Sequence, residues 1–361
     1  MEKTVYDGKI LCASKQRSIL RRFFFENLGI NPNYNSSHDL AKLFNLLGYA
    51  FGNELSAEEA SSQMRTEFPD KLVASADTLL RRLKEADKSL VEKAFNNTIS
   101  RFLKSLDLQD CIVAIDYHDI PYYGDKNDAW VRGTKNQRGT NWCHQYATLE
   151  IVSGEKRFTL AARKLSVNDG EKSLIIKELI GIARKHVKIS HILLDRGFYG
   201  VECIRVLKQL RFPFIMPVIK DKKMKPFMDE NATSIPCVLQ YTIGKKGNCE
   251  TFNLALKWFE KIGEPPEVHG FATNTNLSVE EISALYSKRW SIETGYRTKK
   301  CFRVKTTTTN NIVRMIFFYL ECLFYNAWYA IREETKITIQ SFKKILEVTA
   351  LKEIREQSAV T

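Results

Sequence analysis

The sequence lacks the motifs that mark several common classes of protein. Its eight cysteines (12, 111, 143, 203, 237, 249, 301 and 322) include no C-x-x-C pair and no zinc-knuckle spacing. There is no Walker A motif, so neither an ATP-driven mechanism nor a nucleotide cofactor is expected. The most apolar stretch, residues 316–331, is short for a membrane span and contains Glu321 and Asn326, which predicts a buried core helix and no membrane partner.

The first residues and the cysteines favour an intracellular setting. Residues 1–18 include acidic side chains and no long apolar run, so no signal peptide is expected. Several cysteines lie inside apolar runs, which predicts reduced core thiols in a cytoplasmic protein.

Length and charge narrow the class of partner. A chain of 361 residues has room for two or three domains with a sizeable core. Lysine and arginine number 55 against 42 acidic residues, which gives a net charge of +13 and a pI near 9.2. Such an excess favours a polyanionic partner, because Lys and Arg contacts to phosphate dominate nucleic-acid affinity. Binding to a membrane surface is the weaker alternative.

Two short apolar runs each end in an aspartate. Residues 111–116 read CIVAID, and residues 191–195 read HILLD. Runs of this length and composition are typical of strands that are covered on both faces. Buried carboxylates are costly unless they are paired or bind a metal, and oxygen ligands favour Mg²⁺ or Mn²⁺ over zinc. Asp116 and Asp195 are therefore candidate ligands of a cation.

A third acid lies in a basic and aromatic segment, YSKRWSIETGYRTKK, at residues 286–300. On one continuous α-helix, five of its side chains would form a single stripe. These are Tyr286, Arg289, Glu293, Arg297 and Lys300. Taken alone, the segment is better interpreted as a solvated charged face. Together with the two strand-terminal aspartates, it predicts a site that holds both a metal ion and a phosphate backbone.

The spacing Y-x₂-R-x₃-E-x₆-K, from Tyr286 to Lys300, resembles the Y-R-E-K signature of DDE transposases from bacterial and archaeal insertion sequences. The segment DRGFYG at residues 195–200 is similar to the block with that family's second aspartate. IDYHDIPYYGD at residues 115–125 is similar to the block with the first. The likeness covers about residues 110–330. It implies an α/β fold with a ribonuclease H-like mixed sheet flanked by helices.

Carried over position by position, the resemblance implies that Asp116, Asp195 and Glu293 are the catalytic and metal-binding triad. Tyr286, Arg289 and Lys300 would support it. We expect these three residues and Arg297, which lies on the same stripe, to contact DNA. The implied chemistry is two-metal phosphoryl transfer with Mg²⁺ or Mn²⁺, on double-stranded DNA of the transposon ends and the target. A homodimer is expected in the synaptic complex. A hydrolytic nuclease of the same fold and a catalytically silent DNA-binding derivative stay open, although the presence of all three acids counts against the second.

The pattern along the chain predicts a helical N-terminal DNA-binding region at 1–108 and a catalytic domain at 109–335. Within the catalytic domain we expect strands at 111–123, 142–153 and 156–165, a helix at 171–187, a strand ending at Asp195, a helix at 199–210 and a strand at 213–218. Residues 220–276 are expected to form a β-rich insertion, with a hairpin turn near 244–247 in preference to the GXXG loop of a KH domain. Residues 336–361 are predicted to be a helical tail.

Several residues and segments have competing interpretations. Residues 55–83, with Ser75 as a helix N-cap, fit either a helix-turn-helix or a plain helical bundle. Asp119 competes with Asp116, but strand alternation would place it on the opposite face from Asp116 and His118. His118 fits a structural role better than a supporting role at the metal. Trp290 is expected to pack in the core. For Trp258, core packing is favoured over stacking on a base. Glu321 is a candidate buried partner for an arginine.

Overall fold

The computed structural model describes residues 2–30, 39–104, 106, 108–137, 139–154, 157–260, 263 and 266–356. The chain forms two compact units. The first combines Met1–Asp107, Glu155–Thr159 and Gly295–Thr361, and the second combines Leu108–Gly154 and Leu160–Thr294. The first unit thus contains both the predicted N-terminal region and the predicted C-terminal tail, whose functional roles stay predictions. No helix among the described residues is long and apolar enough to cross a membrane.

The first unit is helical. Its helices are α1 (Glu2–Ile19), α2 (Leu40–Asn53), α3 (Ala57–Glu67), α4 (Ala76–Lys84), α5 (Lys88–Leu103), α11 (Asn311–Thr335) and α12 (Ile339–Arg355). Side-chain caps fix the start of several of them. Ser56 and Glu59 form a reciprocal capping box at α3, and the Ser75 hydroxyl accepts a hydrogen bond from the Thr78 N–H at α4, which confirms Ser75 as an N-cap.

The geometry of α3 and α4 favours the helical bundle over the helix-turn-helix. Residues 68–75 separate the two helices, whereas a helix-turn-helix joins its helices by about three or four residues. Arg82, in the helix that would enter the groove, is only 4 % exposed and donates a hydrogen bond to Glu85. A buried arginine in this position is not available to read DNA.

Helix α11 forms much of the core of the first unit, as its apolar sequence predicts. Glu321 is buried in it and receives two hydrogen bonds from Arg303, at 2.9 and 2.8 Å, which confirms the expected arginine partner. Asn326 is also buried, and its side-chain amide bonds both the N–H and the carbonyl of Thr159. Both polar groups inside the apolar helix are therefore satisfied.

In the part of the chain that the structure describes, the second unit is built on one mixed sheet of nine strands. They are β1 (Cys111–Pro121), β2 (Arg132–Gln137), β3 (Thr140–Ile151), β4 (Thr159–Lys164), β5 (Ile189–Leu194), β6 (Phe214–Pro217), β7 (Cys237–Lys245), β8 (Asn248–Phe259) and β9 (Glu267–Thr273). The order is β2-β3-β1-β5-β6-β9-β8-β7, with β4 paired to β3. β1, β5 and β6 run parallel, and the remaining neighbours are antiparallel.

The helices of this unit are α6 (Lys172–Ala183), α7 (Val201–Gln209), α8 (Met224–Glu230), α9 (Val279–Ser287) and the start of α10 (Trp290–Lys299). Helix α6 packs on α7 and β3, and α7 packs on β8. α8 lies within the expected β-rich insertion, where no helix is predicted. From 111 to 218, the predicted order of strands and helices is confirmed except for β2. That strand reads RGTKNQ, and its sequence contains no apolar residue that would mark it as a strand.

The predicted insertion continues the main sheet. β9 pairs antiparallel with β6, with Ile215 opposite Thr273, and β8 and β7 extend the sheet beyond it. The hairpin turn is confirmed between Lys245 and Asn248, where Gly247 has a positive φ of 88° that suits glycine. Residues 220–276 are therefore part of the framework of this unit.

Candidate active site

Asp116 and Asp195 lie side by side on neighbouring parallel strands. β1 and β5 are in register with Ile115 opposite Leu194, so the two aspartates are the next residues on each strand. Neighbouring strands are about 4.8 Å apart, and residues in register point to the same face. β5 ends at Leu194, one residue before the predicted end at Asp195, whereas β1 continues past Asp116 to Pro121.

Local contacts hold both aspartates in place. The Asp116 carboxylate accepts a hydrogen bond from the Tyr117 N–H at 2.8 Å. Asp195 caps a short 3-10 turn, Arg196–Phe198, and accepts from the Gly197 N–H at 3.4 Å. The rings of Tyr117 and Phe198 stack with centroids 4.8 Å apart, which ties the turn after β5 to β1.

The single helix predicted for residues 286–300 is wrong, because the segment breaks after Tyr286. α9 ends at Ser287, and α10 begins at Trp290. At the break, the Ser287 hydroxyl bonds the Ala284 carbonyl, and the Arg289 N–H bonds Tyr286 in a tight i to i−3 pattern. Serine back-bonding of this kind bends helices. Tyr286 and Glu293 thus belong to different helices, and Arg289 lies at the junction.

Arg289 is the centre of the site. Its Nη1 donates to Asp116 Oδ2 at 3.2 Å, and its Nη2 donates to Glu293 Oε1 at 3.1 Å. The same Nη2 lies 4.0 Å from Asp195 Oδ1. Arg289 is 7 % exposed, and its guanidinium carbon lies 5.7 Å from the ring centroid of Tyr286 and 5.8 Å from that of Trp290. One guanidinium therefore gathers carboxylates from β1, β5 and α10.

One cation does not neutralise three carboxylates. Burial, offset in part by the Arg289 guanidinium, raises the pKa of Asp116 to about 7. The pKa of Arg289 is raised, because Tyr286 and the three acids outweigh the opposing effect of burial. Burial also raises the pKa of Tyr286 to about 12, so its hydroxyl stays protonated at neutral pH. The site has excess negative charge whenever all three acids are ionised.

Strand alternation separates the competing Asp119 from this cluster. Asp119 accepts hydrogen bonds from Thr134 and from Gln145, which lies opposite it on β3. Its carboxylate is therefore bound to residues of β2 and β3. His118, which shares the face of Asp116 by alternation, is buried at 7 % exposure.

The remaining predicted residues fall into two groups. Tyr286 packs on Phe271 of β9 with ring centroids 5.1 Å apart. Arg297, in the last turn of α10, and Lys300, just after it, are exposed and belong to the first unit. The structure brings Tyr286 and Arg289 together with the acids, and it gives no such grouping for Arg297 and Lys300.

Two tryptophans differ from expectation. Trp290 is 62 % exposed and Trp258 is 40 % exposed, so core packing was the wrong prediction for Trp290 and does not describe Trp258 either. Trp290 begins α10 directly after the helix break. Because of the break, Trp290 does not lie on the face that it would occupy on one continuous helix.

The donor set fits a divalent metal ion in its chemistry. All three acids offer hard oxygen ligands, the kind that Mg²⁺ and Mn²⁺ prefer. Asp195 Oδ1 and Glu293 Oε1 flank the same nitrogen, which keeps them within about 7 Å of each other, a gap that ions about 4 Å apart can bridge. Among the described residues, however, no three His, Cys, Asp or Glu side chains are close enough to hold an ion as they stand. The guanidinium of Arg289 separates the carboxylates.

Sequence reasoning missed this central role of Arg289. It assigned the residue to a DNA phosphate, whereas here the guanidinium is buried among three acids. The available signal was its spacing of four residues before Glu293, since an Arg and a Glu at that spacing are neighbours on a helix.

Comparisons with known proteins address the fold and the family. A solved structure with a similar fold is the cryo-EM structure of a piggyBac transposase synaptic complex with hairpin DNA, at a TM-score of 0.64 and 12 % sequence identity. The match covers 98 % of this chain and 82 % of that chain, and it supports the predicted ribonuclease H-like fold class. No curated protein sequence matches this chain. Residues 107–326 match the family described as the transposase DDE domain, and since that match spans more than half of the sequence, this chain belongs to the DDE transposase family.

Proposed function

We propose that this transposase cuts the ends of an insertion sequence and joins them to target DNA, using Asp116, Asp195 and Glu293 as its catalytic carboxylates. The observation that carries the proposal is the convergence of these three acids on one guanidinium, although they come from β1, β5 and α10. The Y-x₂-R-x₃-E-x₆-K spacing in the sequence supports an insertion-sequence element as the substrate.

The three acids would hold one or two divalent ions. By the family resemblance, Asp116 would serve both ions, while Asp195 and Glu293 would each hold one. Ions held there would lower the pKa of the attacking water or hydroxyl and stabilise negative charge on the attacking and leaving oxygens. Asp195 and Glu293 have side chains 46 % and 40 % exposed, so DNA can approach from their side, whereas the Asp116 side chain is 17 % exposed.

Arg297 and Lys300 would contact phosphates near the cut. Both are exposed cations beside the segment with Glu293, and the chain carries a net charge of +13. Phosphate contacts of this kind position a duplex without reading its sequence. The structural neighbour is a synaptic complex with hairpin DNA, which supports DNA as the partner. The proposal extends this to double-stranded transposon ends and target, with a homodimer assembled on them.

The proposal is tested on labelled duplexes that carry the DNA flanking the gene. With Mg²⁺ or Mn²⁺, the full-length chain should nick these ends and then transfer them to a second duplex. Glu293→Gln should abolish both reactions while end-DNA binding in a gel-shift assay stays within about twofold, because the basic residues are retained. Glu280→Gln makes the same chemical change at an exposed glutamate of α9 and should leave both reactions intact.

Each outcome separates the candidate functions. Cleavage without strand transfer would identify a hydrolytic nuclease, and binding without cleavage by the unaltered chain would identify a silent DNA-binding derivative. Parallel loss of binding and cleavage in Glu293→Gln would mean that Glu293 has a structural role.

A further inference from the structure

We propose that Arg289 occupies the metal-binding position of the triad in the metal-free chain, and that a divalent ion binds only when this guanidinium leaves. The inference rests on the proposed function, because it requires the three acids to be metal ligands. It makes Arg289 a residue that opposes metal binding before DNA is engaged, in addition to any later contact with DNA.

Distances make the guanidinium and the ion mutually exclusive. Mg²⁺ binds oxygen at about 2.1 Å, so an ion shared by Asp116 and Glu293 must lie between their oxygens. The nitrogens of Arg289 already lie there, at 3.2 and 3.1 Å from those oxygens. The same nitrogen that bonds Glu293 also approaches Asp195 at 4.0 Å. This arrangement accounts for three converging carboxylates that nevertheless lie too far apart to hold an ion.

Electrostatic repulsion also opposes simultaneous binding of the guanidinium and a divalent ion at these carboxylates. A guanidinium beside a divalent ion experiences like-charge repulsion in a site where burial weakens screening. Its bonds to the carboxylates are charge-assisted, so they compete directly with metal coordination for the same oxygens.

Arg289 also has a local alternative to the carboxylates. Tyr286 and Trp290 flank the guanidinium at 5.7 and 5.8 Å, and aromatic faces attract cations over this range. Trp290 is 62 % exposed, so a guanidinium that moves along its ring moves toward solvent. The Nε of Arg289 is buried without a hydrogen-bond partner, so Arg289 loses no bond at this nitrogen when its side chain moves.

The test measures binding of Mn²⁺ alone to the DNA-free, full-length chain, from the loss of the free-ion electron paramagnetic resonance signal. Arg289→Ala and Arg289→Gln should each bind Mn²⁺ at least about tenfold more tightly than the unaltered chain, the effect of removing one competing charge-assisted hydrogen bond. Arg303→Gln is the matched control, because it removes an arginine that bonds Glu321 in the other unit. Its Mn²⁺ affinity should equal that of the unaltered chain.

A second measurement needs no arginine variant. Addition of Mg²⁺ to the unaltered chain should change tryptophan fluorescence as the guanidinium leaves the carboxylates and shifts along the Trp290 ring, and the change should be absent in Trp290→Phe. Equal or weaker Mn²⁺ binding by both Arg289 variants, or the same gain in Arg303→Gln, would overturn the inference while leaving a metal-dependent transposase intact. Failure of every chain to bind Mn²⁺ would overturn both the inference and the proposed metal site.

Discussion

Asp116→Asn should change how the stability of the metal-free protein depends on pH. Burial raises the pKa of Asp116 from 3.8 to about 7, so the folded chain retains this proton over a range in which the unfolded chain has lost it. The free energy of unfolding of the unaltered chain therefore falls as the pH rises from about 4 to about 7, and this contribution is constant above that. Asparagine does not ionise, so the variant lacks this fall.

The size of this change in unfolding free energy follows from the pKa shift of Asp116. Each pKa unit corresponds to about 1.4 kcal/mol, so a shift of about three units amounts to about 4 kcal/mol. The Asp116 side chain is only 17 % exposed, so solvent screening reduces this value little.

Urea denaturation followed by circular dichroism, at pH 4, 5, 6, 7 and 8 with a chelator present, measures the difference. The unfolding free energy of Asp116→Asn minus that of the unaltered chain should rise by about 4 kcal/mol between pH 4 and pH 7 and level off above pH 7. The level region is an internal control for other titrating groups. Two curves that stay parallel from pH 4 to pH 8 would refute the assignment of a raised pKa to Asp116.

Two further predictions concern the first unit. Lys300→Ala should weaken binding to end DNA and lower the slope of log affinity against log salt by about one. Lys352 is another exposed lysine, and Lys352→Ala should leave that slope unchanged. Reduced thermal stability with an unchanged slope would indicate a structural role for Lys300. Glu321→Gln should lower the unfolding free energy by about 3 kcal/mol, because Arg303 loses a buried charged partner. The double variant Arg303→Leu/Glu321→Leu should recover part of that loss. A Glu321→Gln variant as stable as the unaltered chain would contradict this account.

The sequence was most informative where a local pattern fixes a position. The apolar runs before Asp116 and Asp195 predict two buried strands, and adjacent parallel strands in register put both carboxylates together. The alternation rule also separates Asp119 from Asp116 once β1 continues to Pro121. The alternation along β1 is a local property of the sequence. The pairing and register of β1 with β5 join distant segments, and the local pattern alone does not give them.

Prediction failed where tertiary contacts or a single hydrogen bond decide the structure. The break between α9 and α10 depends on the Ser287 hydroxyl and on tight turns at Arg289, which helix periodicity does not report. The break moves Trp290 to the surface and directs Arg289 at three acids. Likewise, nothing local in β9 indicates that it pairs with β6 and merges the predicted insertion into the main sheet.

The wide spacing of the paired strands along the chain sets the order in which a nascent polypeptide can complete this unit. β1 pairs with β5, and β6 must wait for β9, so the centre of the sheet closes only after most of the unit has been synthesised. Arg289 and Glu293 emerge from the ribosome later still. A chain that terminates before α9 would carry both aspartates without the third acid, so premature termination yields a polypeptide that cannot assemble the cluster.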